Sequence, residues 1–134
     1  MFLLDTNVVS ELRRPRPHPR VIAWLRATPA DSLFVSAVTV GEIQAGIEIT
    51  RPQDAAKAHQ LEGWLDRVLD AYGVLPMDAA AFRLWARLMH RTTDALSEDA
   101  MIAATAIIRG LAVVTRNVRD FRPFDVEVMD PFAG

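Results

Sequence analysis

The sequence contains no cysteine. This absence excludes disulfide bonds, a thiolate nucleophile and zinc sites built from cysteine ligands. Lysine is nearly absent as well, because 14 of the 15 basic residues are arginine and Lys57 is the one lysine. The basic character of the chain therefore comes from arginine, whose planar side chain suits contacts with phosphate.

Long apolar runs are also missing from the sequence. The longest weakly polar stretch covers residues 100–108, far short of the roughly 20 residues that a membrane-spanning helix needs. The first residues, Met-Phe-Leu-Leu-Asp, lack the basic start and the apolar core of a secretory signal peptide. These absences lead us to expect a cytoplasmic protein.

The residues that are present suit a globular domain. The chain has 134 residues, of which 51% are hydrophobic, so we expect a single domain over residues 1–134 with a substantial core. Its net charge of −2 is not typical of a nucleic-acid-binding protein. One short proline-rich stretch nevertheless concentrates positive charge through Arg13, Arg14, Arg16 and Arg20. This stretch is either a solvated loop or a contact surface for RNA or a protein partner, and both readings stay open.

Short apolar runs alternate with helical patterns along the chain. We predict strands at residues 2–4, 33–36, 74–75 and 111–115, with a weaker fifth near 126–129. Helices are predicted over residues 6–13, 20–28, 38–49, 53–72, 79–90 and 98–109. Ser97 is the predicted N-cap of the last helix, and Gly110 its C-terminal residue. The alternation predicts an α/β fold, with three layers (α/β/α) and a central parallel sheet of four to five short strands.

Four acidic residues fall at corresponding ends of these elements. Asp5 follows the first strand, Glu42 lies one turn into the helix after the second, and Asp99 and Asp120 flank the fourth. Parallel sheets bind ligands beyond the carboxyl ends of their strands, so we expect these side chains to meet. Carboxylates brought together repel one another unless a cation lies between them, and an all-oxygen set favours Mg²⁺, with Mn²⁺ as a substitute. The natural chemistry is hydrolysis of a phosphodiester.

Each acid also has a purely structural explanation. Asp5 could cap a helix, Glu42 could be solvated, Asp99 could complement a helix dipole and Asp120 could form a turn. The functional interpretation gains weight because all four map to one sheet edge. Thr6, Thr115 and Asn117 flank the acids, where they either orient the carboxylates by hydrogen bonding or cap turns. The three tryptophans are expected in the core rather than at a binding surface.

Four segments carry a resemblance to a known family. They are Leu4-Asp5-Thr6-Asn7-Val8, Ser36-Ala37-Val38-Thr39-Val40-Gly41-Glu42-Ile43, Asp99-Ala100-Met101-Ile102-Ala103-Ala104 and Val114-Thr115-Arg116-Asn117-Val118-Arg119-Asp120-Phe121. In this order they resemble the motifs of PIN-domain toxins, specifically the VapC branch of type II toxin–antitoxin systems. One departure is Glu98, which makes the third segment more acidic than the motif requires.

The resemblance implies a metal-dependent endoribonuclease whose acidic positions are Asp5, Glu42, Asp99 and Asp120. It further implies a cognate antitoxin that blocks the site, dimerisation of the toxin and an RNA substrate such as transfer RNA. The hypothesis for the roles is that Asp5 and Asp99 hold the principal ion. Glu42 would orient or deprotonate the attacking water, and Asp120 would complete the site or help a second ion.

Three other functions agree with part of the sequence. A phosphatase or phosphoryl acceptor with Asp5 as nucleophile needs a second acid close by and a lysine. Here the second residue after Asp5 is Asn7, and the one lysine, Lys57, lies inside a long amphipathic helix. A binding module would use the acids for structure or partner contact, and turnover of RNA would exclude it. A housekeeping PIN nuclease would lack an antitoxin, and the short chain favours the toxin instead.

Overall fold

The computed structural model describes residues 1–133 and has a mixed α/β architecture. Five strands form the sheet: β1 (Phe2–Leu4), β2 (Leu33–Ser36), β3 (Gly73–Leu75), β4 (Ala112–Val114) and β5 (Val128–Met129). Six α-helices surround it: α1 (Thr6–Glu11), α2 (Pro19–Ala27), α3 (Ala37–Thr50), α4 (Ala55–Ala71), α5 (Ala79–Met89) and α6 (Ser97–Arg109). Every predicted strand and helix is present, with ends that match the prediction or differ from it by at most two residues. Three 3₁₀ helices, over 30–32, 94–96 and 118–121, were not predicted.

The sheet is parallel throughout, in the strand order β3-β2-β1-β4-β5. The central strand β1 is paired on both sides, so that Leu4 lies opposite Val35 of β2 and Val114 of β4. A central strand that is covered on both faces has to be apolar throughout, which explains the run Phe2-Leu3-Leu4. The predicted parallel sheet is therefore confirmed, and its fifth strand is the edge strand β5.

Alternate residues of the strands enter different cores. Leu3 and Val113 pack with α5 and α6 on one face of the sheet, while Leu4, Val35 and Val114 pack with α1–α4 on the other. This alternation follows from the two-residue period of a strand. It confirms the three-layer α/β/α arrangement. Among residues 1–133, no helix has the length and apolar character needed to cross a bilayer.

Local sequence explains most element boundaries. Asp78 caps α5 by accepting a hydrogen bond from the Ala81 backbone N–H at 2.9 Å. Gly110 ends α6 in the left-handed conformation, with φ of 68°, where a side chain would be strained. The prediction that Ser97 is the N-cap of α6 was wrong. Ser97 is already the first helical residue, because the preceding 3₁₀ helix runs directly into α6 and Leu96 occupies the cap position without a side-chain bond.

Candidate active site

Asp5 lies at the point where β1 ends and α1 begins. Its backbone N–H continues the sheet by donating to the Val114 carbonyl at 2.9 Å. One carboxylate oxygen, Oδ1, accepts the Thr6 backbone N–H at 2.8 Å and so caps the helix. The residue is 5% exposed. The structural role of helix cap and the candidate functional role therefore coexist, because the cap uses only one of the two oxygens.

The second oxygen of Asp5 is held by two other side chains. Oδ2 accepts the Thr115 hydroxyl at 2.7 Å and the Asn7 amide at 3.2 Å. The Thr115 hydroxyl in turn accepts from the Asn7 amide at 3.2 Å and from the Asn117 backbone N–H at 3.0 Å. A hydroxyl has one proton and two lone pairs, so these contacts aim its proton at Asp5. The orientation of this carboxylate is thus fixed from β4 as well as from α1.

Of the predicted orienting residues, Thr115 and Thr6 use their side chains, and Asn117 uses its backbone. Sequence reasoning missed Asn7, whose amide group bridges Asp5, Thr115 and, through its oxygen, the Arg116 backbone N–H at 3.1 Å. The available signal was its position two residues after Asp5, on the first turn of the same helix.

Glu42 projects from α3, whose start is fixed by Ser36 accepting the Val38 backbone N–H at 3.1 Å. The Thr6 hydroxyl lies 3.3 Å from the Glu42 oxygen Oε1 and 3.0 Å from the Thr39 hydroxyl. Thr6 therefore links the start of α1 to the face of α3 that carries Thr39 and Glu42. This link brings Glu42 to the edge where Asp5 lies.

The remaining acids come from the two elements that flank β4. Asp99 lies in the first turn of α6, next to Glu98. Asp120 lies in the 3₁₀ helix 118–121, where its backbone N–H donates to the Asn117 carbonyl at 3.0 Å. The neighbouring Phe121 is fully buried, which anchors this turn to the core and keeps Asp120 at the sheet edge.

The pKa values of these acids show that their charges interact. Burial raises the pKa of Asp5, and the charge of Asp120 adds to that rise. Hydrogen bonds from Thr115, the Thr6 backbone and Asn7 oppose the increase. The cluster therefore combines partial burial with repulsion, the two conditions under which a carboxylate gives up its charge.

The same two causes act on Glu42 and Asp99. Burial raises the pKa of Glu42 to about 7, with further contributions from the charges of Glu98, Asp5 and Asp99. Burial likewise raises the pKa of Asp99 to about 6, and the charges of Asp5, Asp120 and Glu98 add to it. Within residues 1–133, no arginine, lysine or histidine forms an ion pair with any of the four predicted site acids. The topology thus brings the acids together without a balancing cation from the protein.

The donor set is chemically suited to a hard divalent cation, since every donor is an oxygen. In the described part of the chain, however, no three acidic or histidine side chains stand close enough together to hold one ion between them. This spacing does not match a ready-made protein cage. It suits Mg²⁺, which commonly uses one or two carboxylates and completes its shell with water and substrate phosphate.

The predicted arginines separate into two pairs. All four are exposed, but Arg13 lines a cavity together with Glu42, and both Arg13 and Arg14 line a cavity that includes Asn7, whereas Arg16 and Arg20 line none of the described cavities. One cavity of about 380 Å³ contains Arg13 together with Thr6 and Glu42. A second, of about 390 Å³, lies at the Asp120 side and includes Asn117. Open space therefore adjoins the acids on both sides.

Comparison with known proteins agrees with this geometry. The pattern of the PIN domain family matches residues 2–126. Toxin FitB from Neisseria gonorrhoeae is 34% identical over 98% of this chain and 99% of its own length. VapC ribonuclease Y4jK from Sinorhizobium fredii is 35% identical, covering 98% of both chains.

The three-dimensional comparison gives the same result. In the crystal structure of FitAcB from Neisseria gonorrhoeae, a chain with 34% identity superposes with a TM-score of 0.88 and covers 100% of both chains. The similarity therefore spans the sheet, the helices and the edge that carries the acids. The chain belongs to the PIN-domain family, in its VapC branch.

Proposed function

We propose that this chain is a divalent-metal-dependent endoribonuclease and the toxin of a toxin–antitoxin pair. The observation that carries the proposal is the group formed by Asp5, Glu42, Asp99 and Asp120. Burial and the neighbouring negative charges raise the pKa values of Asp5, Glu42 and Asp99, and no basic residue among residues 1–133 forms an ion pair with any of the four acids. Repulsion of this kind disfavours the ionised acids in the folded chain, and a bound cation would relieve it, which supports a site that works with a cation. The names of the relatives, a VapC ribonuclease and a toxin, support RNA as the substrate.

Asp5 and Asp99 are the residues proposed to hold the principal ion, which is Mg²⁺ or Mn²⁺. Support comes from Asp5, because both of its oxygens are oriented by hydrogen bonds before any cation arrives. A bound divalent ion would offset the negative charge of the phosphodiester and lower the pKa of its attacking water. Asp120 lines the second cavity, not the one that Glu42 lines, and is proposed to complete the site from there.

Glu42 is proposed to orient and deprotonate the attacking water. A general base works best when its pKa lies near the working pH, and that of Glu42 is raised to about 7. The Thr6 hydroxyl, 3.3 Å from Oε1, restricts the direction in which the carboxylate points. The carboxylate is only half-buried, so its free oxygen can reach substrate in the cavity that it lines.

Three further properties are proposed from the family resemblance. The chain binds a cognate antitoxin that blocks the site, it forms a homodimer, and its substrate is a structured RNA such as transfer RNA. A cytoplasmic location follows from that substrate. The Arg13 and Arg14 side chains beside the site are proposed to contact the RNA or the antitoxin.

The test is cleavage of a total-RNA pool by the purified, antitoxin-free chain, with Mg²⁺, with Mn²⁺ and with a chelator. Asp99→Asn is prepared identically, and Glu48→Gln serves as a matched control because Glu48 is an exposed acid outside the group. We expect discrete cuts that need the metal, that persist in Glu48→Gln and that disappear in Asp99→Asn.

Equal cutting by the wild type and Asp99→Asn would contradict the proposed role of Asp99. Cutting that continues with the chelator would contradict the metal requirement. A chain that binds RNA with metal but releases no product over many hours would favour a binding module, because turnover distinguishes an enzyme from a binder.

A further inference from the structure

We propose that a single strand of RNA reaches the active site along one groove, where Arg13, Lys57 and Arg67 contact its phosphates. We call this feature the basic groove and define it by Arg13, Lys57, Leu61, Trp64 and Arg67. The inference rests on the proposed ribonuclease function, because it identifies how the substrate approaches the same acids. In the sequence, Lys57 is simply the one lysine of the chain, inside a long predicted helix.

Two adjoining cavities make up the groove. The first, of about 380 Å³, begins at Thr6 and Glu42 and continues between α3 and α4. The second, of about 620 Å³, lies between the proline-rich loop and α4 and ends at Arg67. Both are lined by the same four residues, namely Arg13, Lys57, Leu61 and Trp64. The space is therefore continuous from the candidate catalytic glutamate to the far part of α4.

The charges along the groove favour a polyanion. Arg13, Lys57 and Arg67 are exposed, and none of them forms an ion pair with a residue in the described part of the chain. Among residues 1–133, Glu42 is the only acid that lines either cavity. Basic side chains without partners, arranged along a path that ends at the acids, attract phosphates towards the point where cleavage is proposed.

The loop that carries Arg13 is held in place. The buried carboxylate of Glu11 accepts the His18 backbone N–H at 3.0 Å and lies 3.7 Å from the Arg14 guanidinium. This anchor ties both ends of the proline-rich loop together. Arg13 is thus presented to the groove from a fixed loop, while Arg16 and Arg20 point elsewhere.

The floor of the groove is apolar and comes from α4. Lys57, Leu61, Trp64 and Arg67 follow one another at spacings of four, three and three residues, so they share one helix face. With a rise of about 1.5 Å per residue, the ten residues from Lys57 to Arg67 cover ~15 Å. A cation at each end and an indole with a leucine between them suit a strand whose phosphates bind the cations and whose bases pack on the apolar floor.

The strand has to be unpaired at this point. Bases can reach the Leu61 and Trp64 surface only when they are not stacked within a duplex. A peptide is the other occupant that an apolar floor could accept. RNA is favoured because the groove offers several unpaired cations and one acid, which matches a chain with a negative charge at every repeat.

The experiment measures binding, not cleavage. All variants carry Asp99→Asn, and the probe is a short fluorescein-labelled, single-stranded oligoribonucleotide of mixed sequence, followed by fluorescence anisotropy across a range of NaCl concentrations. The test pair is Lys57→Gln with Arg67→Gln. The matched control is Arg83→Gln with Arg87→Gln, exposed residues of α5 on the opposite side of the sheet.

We expect the test pair to bind roughly tenfold more weakly, and the slope of log affinity against log salt to fall by about 0.7 for each lost phosphate contact. The control pair should keep the affinity and the slope of the parent. Lys57→Arg should retain binding, because it keeps the charge. Circular dichroism checks that each exposed substitution leaves the fold intact.

Unchanged affinity and slope in the test pair would overturn the proposal, and a peptide of a protein partner would then be the favoured occupant of the basic groove. Equal losses in the test and control pairs would overturn it too, since they would indicate attraction by overall charge alone. If the wild type cut no RNA while the test pair still lost affinity, the proposed ribonuclease function would be contradicted, but RNA binding in the basic groove would be supported. The two failures are therefore distinguishable.

Discussion

Two glutamates of helix α3 lie only six residues apart and have opposite properties. Glu48 receives two hydrogen bonds from Arg51, at 3.0 and 2.9 Å, and one from Gln44 at 2.7 Å. These contacts hold the pKa of Glu48 at about 2. Burial and the charges of neighbouring acids raise the pKa of Glu42 to about 7. On the same helix, the surroundings thus stabilise the ionised form of Glu48 and the protonated form of Glu42.

The difference lies in what surrounds each carboxylate. The charge of Glu48 is balanced within the chain, as in an ordinary surface network that also includes Glu62. Glu42 faces other acids and one hydroxyl, so among residues 1–133 no basic side chain balances its charge, and we propose that a bound cation does so when the carboxylate is ionised. Shifted pKa values accompany both structural networks and functional sites, and the absence of a protein cation is what distinguishes the second kind here.

The largest expected effect is the difference in RNA cleavage between a variant without the Glu42 carboxylate and a variant without the Glu48 carboxylate. Glu42→Gln should lower the initial rate of Mg²⁺-dependent RNA cleavage by about 100-fold or more, because a proposed general base is lost. Glu48→Gln should change that rate by less than about twofold, as expected of a surface substitution. The measurement is the initial rate on total RNA for both variants, with circular dichroism as a check of folding. Similar losses in the two variants would contradict the distinction.

A smaller effect is expected from the residue that orients Asp5. Thr115→Val removes the hydroxyl 2.7 Å from Oδ2 and leaves the Asn117 backbone N–H without its acceptor. Because Thr115 is 0% exposed, we expect a loss of about 1–3 kcal/mol in the free energy of unfolding. Mg²⁺ affinity should fall by about tenfold to 100-fold, the usual cost of losing an orienting partner.

Urea unfolding and calorimetric Mg²⁺ titration measure these two effects. Thr115→Ser, which keeps the hydroxyl, should restore both quantities. Thr105→Val is the matched control: Thr105 is also buried, and its hydroxyl donates within α6 to the Met101 carbonyl at 3.0 Å. A fall of Mg²⁺ affinity in Thr105→Val as large as that in Thr115→Val would show that the effect is general destabilisation.

The fold was predictable because its signals are local. Apolar runs such as Phe2-Leu3-Leu4 identify central strands, and residues such as Asp78 and Gly110 mark helix ends by their own conformational preferences. The Ser97 cap failed for a reason that is not local. Whether a serine caps a helix or starts it depends on the turn before it, and here a 3₁₀ helix occupies that turn.

The site was predictable only in part. Strand ends bring Asp5 and Asp120 to one edge, and that edge follows from topology. The bridging of Asp5 and Thr115 by Asn7 joins residues 108 positions apart, and no spacing in the sequence encodes such a contact. For Lys57, the sequence shows its helical spacing to Trp64 and Arg67. It does not show that this face of α4 lies beside α1, which only the structure reveals.

The acid group should also make the stability of the metal-free chain depend on pH. Between an ordinary pKa of 4.5 and the raised value of about 7, folded Glu42 holds a proton that the unfolded chain releases. Asp99 holds its proton in the same way between its ordinary pKa of 3.8 and its raised pKa of about 6. The folded chain is therefore favoured as the pH falls through this window, and that contribution is lost as the pH rises through 7.

With a chelator present, we expect the melting temperature to be a few degrees higher near pH 5.5 than near pH 8. Mg²⁺ should raise the melting temperature more near pH 8, where the ligands are ionised, than near pH 5.5. Scanning calorimetry of the wild type and of Glu42→Gln with Asp99→Asn tests both statements. The double variant should lose most of the pH dependence; if it kept the full dependence, the titrating groups would lie elsewhere.

The smallest effect is expected where the charges are already balanced. Arg51→Gln removes the partner of Glu48 and Glu62, but all three side chains are in contact with water, which replaces the lost bonds. The melting temperature should hardly change, and any change should vanish at high salt because exposed pairs are screened. The pKa of Glu48 should rise from about 2 towards its ordinary 4.5, measured by NMR of the side-chain carboxyl carbon.

The pKa of Glu42 should stay near 7, because Arg51 is not among the groups that set it. A shift of Glu42 in this variant would mean that the two networks of α3 are coupled and that Arg51 supplies part of the charge which we assign to an external cation.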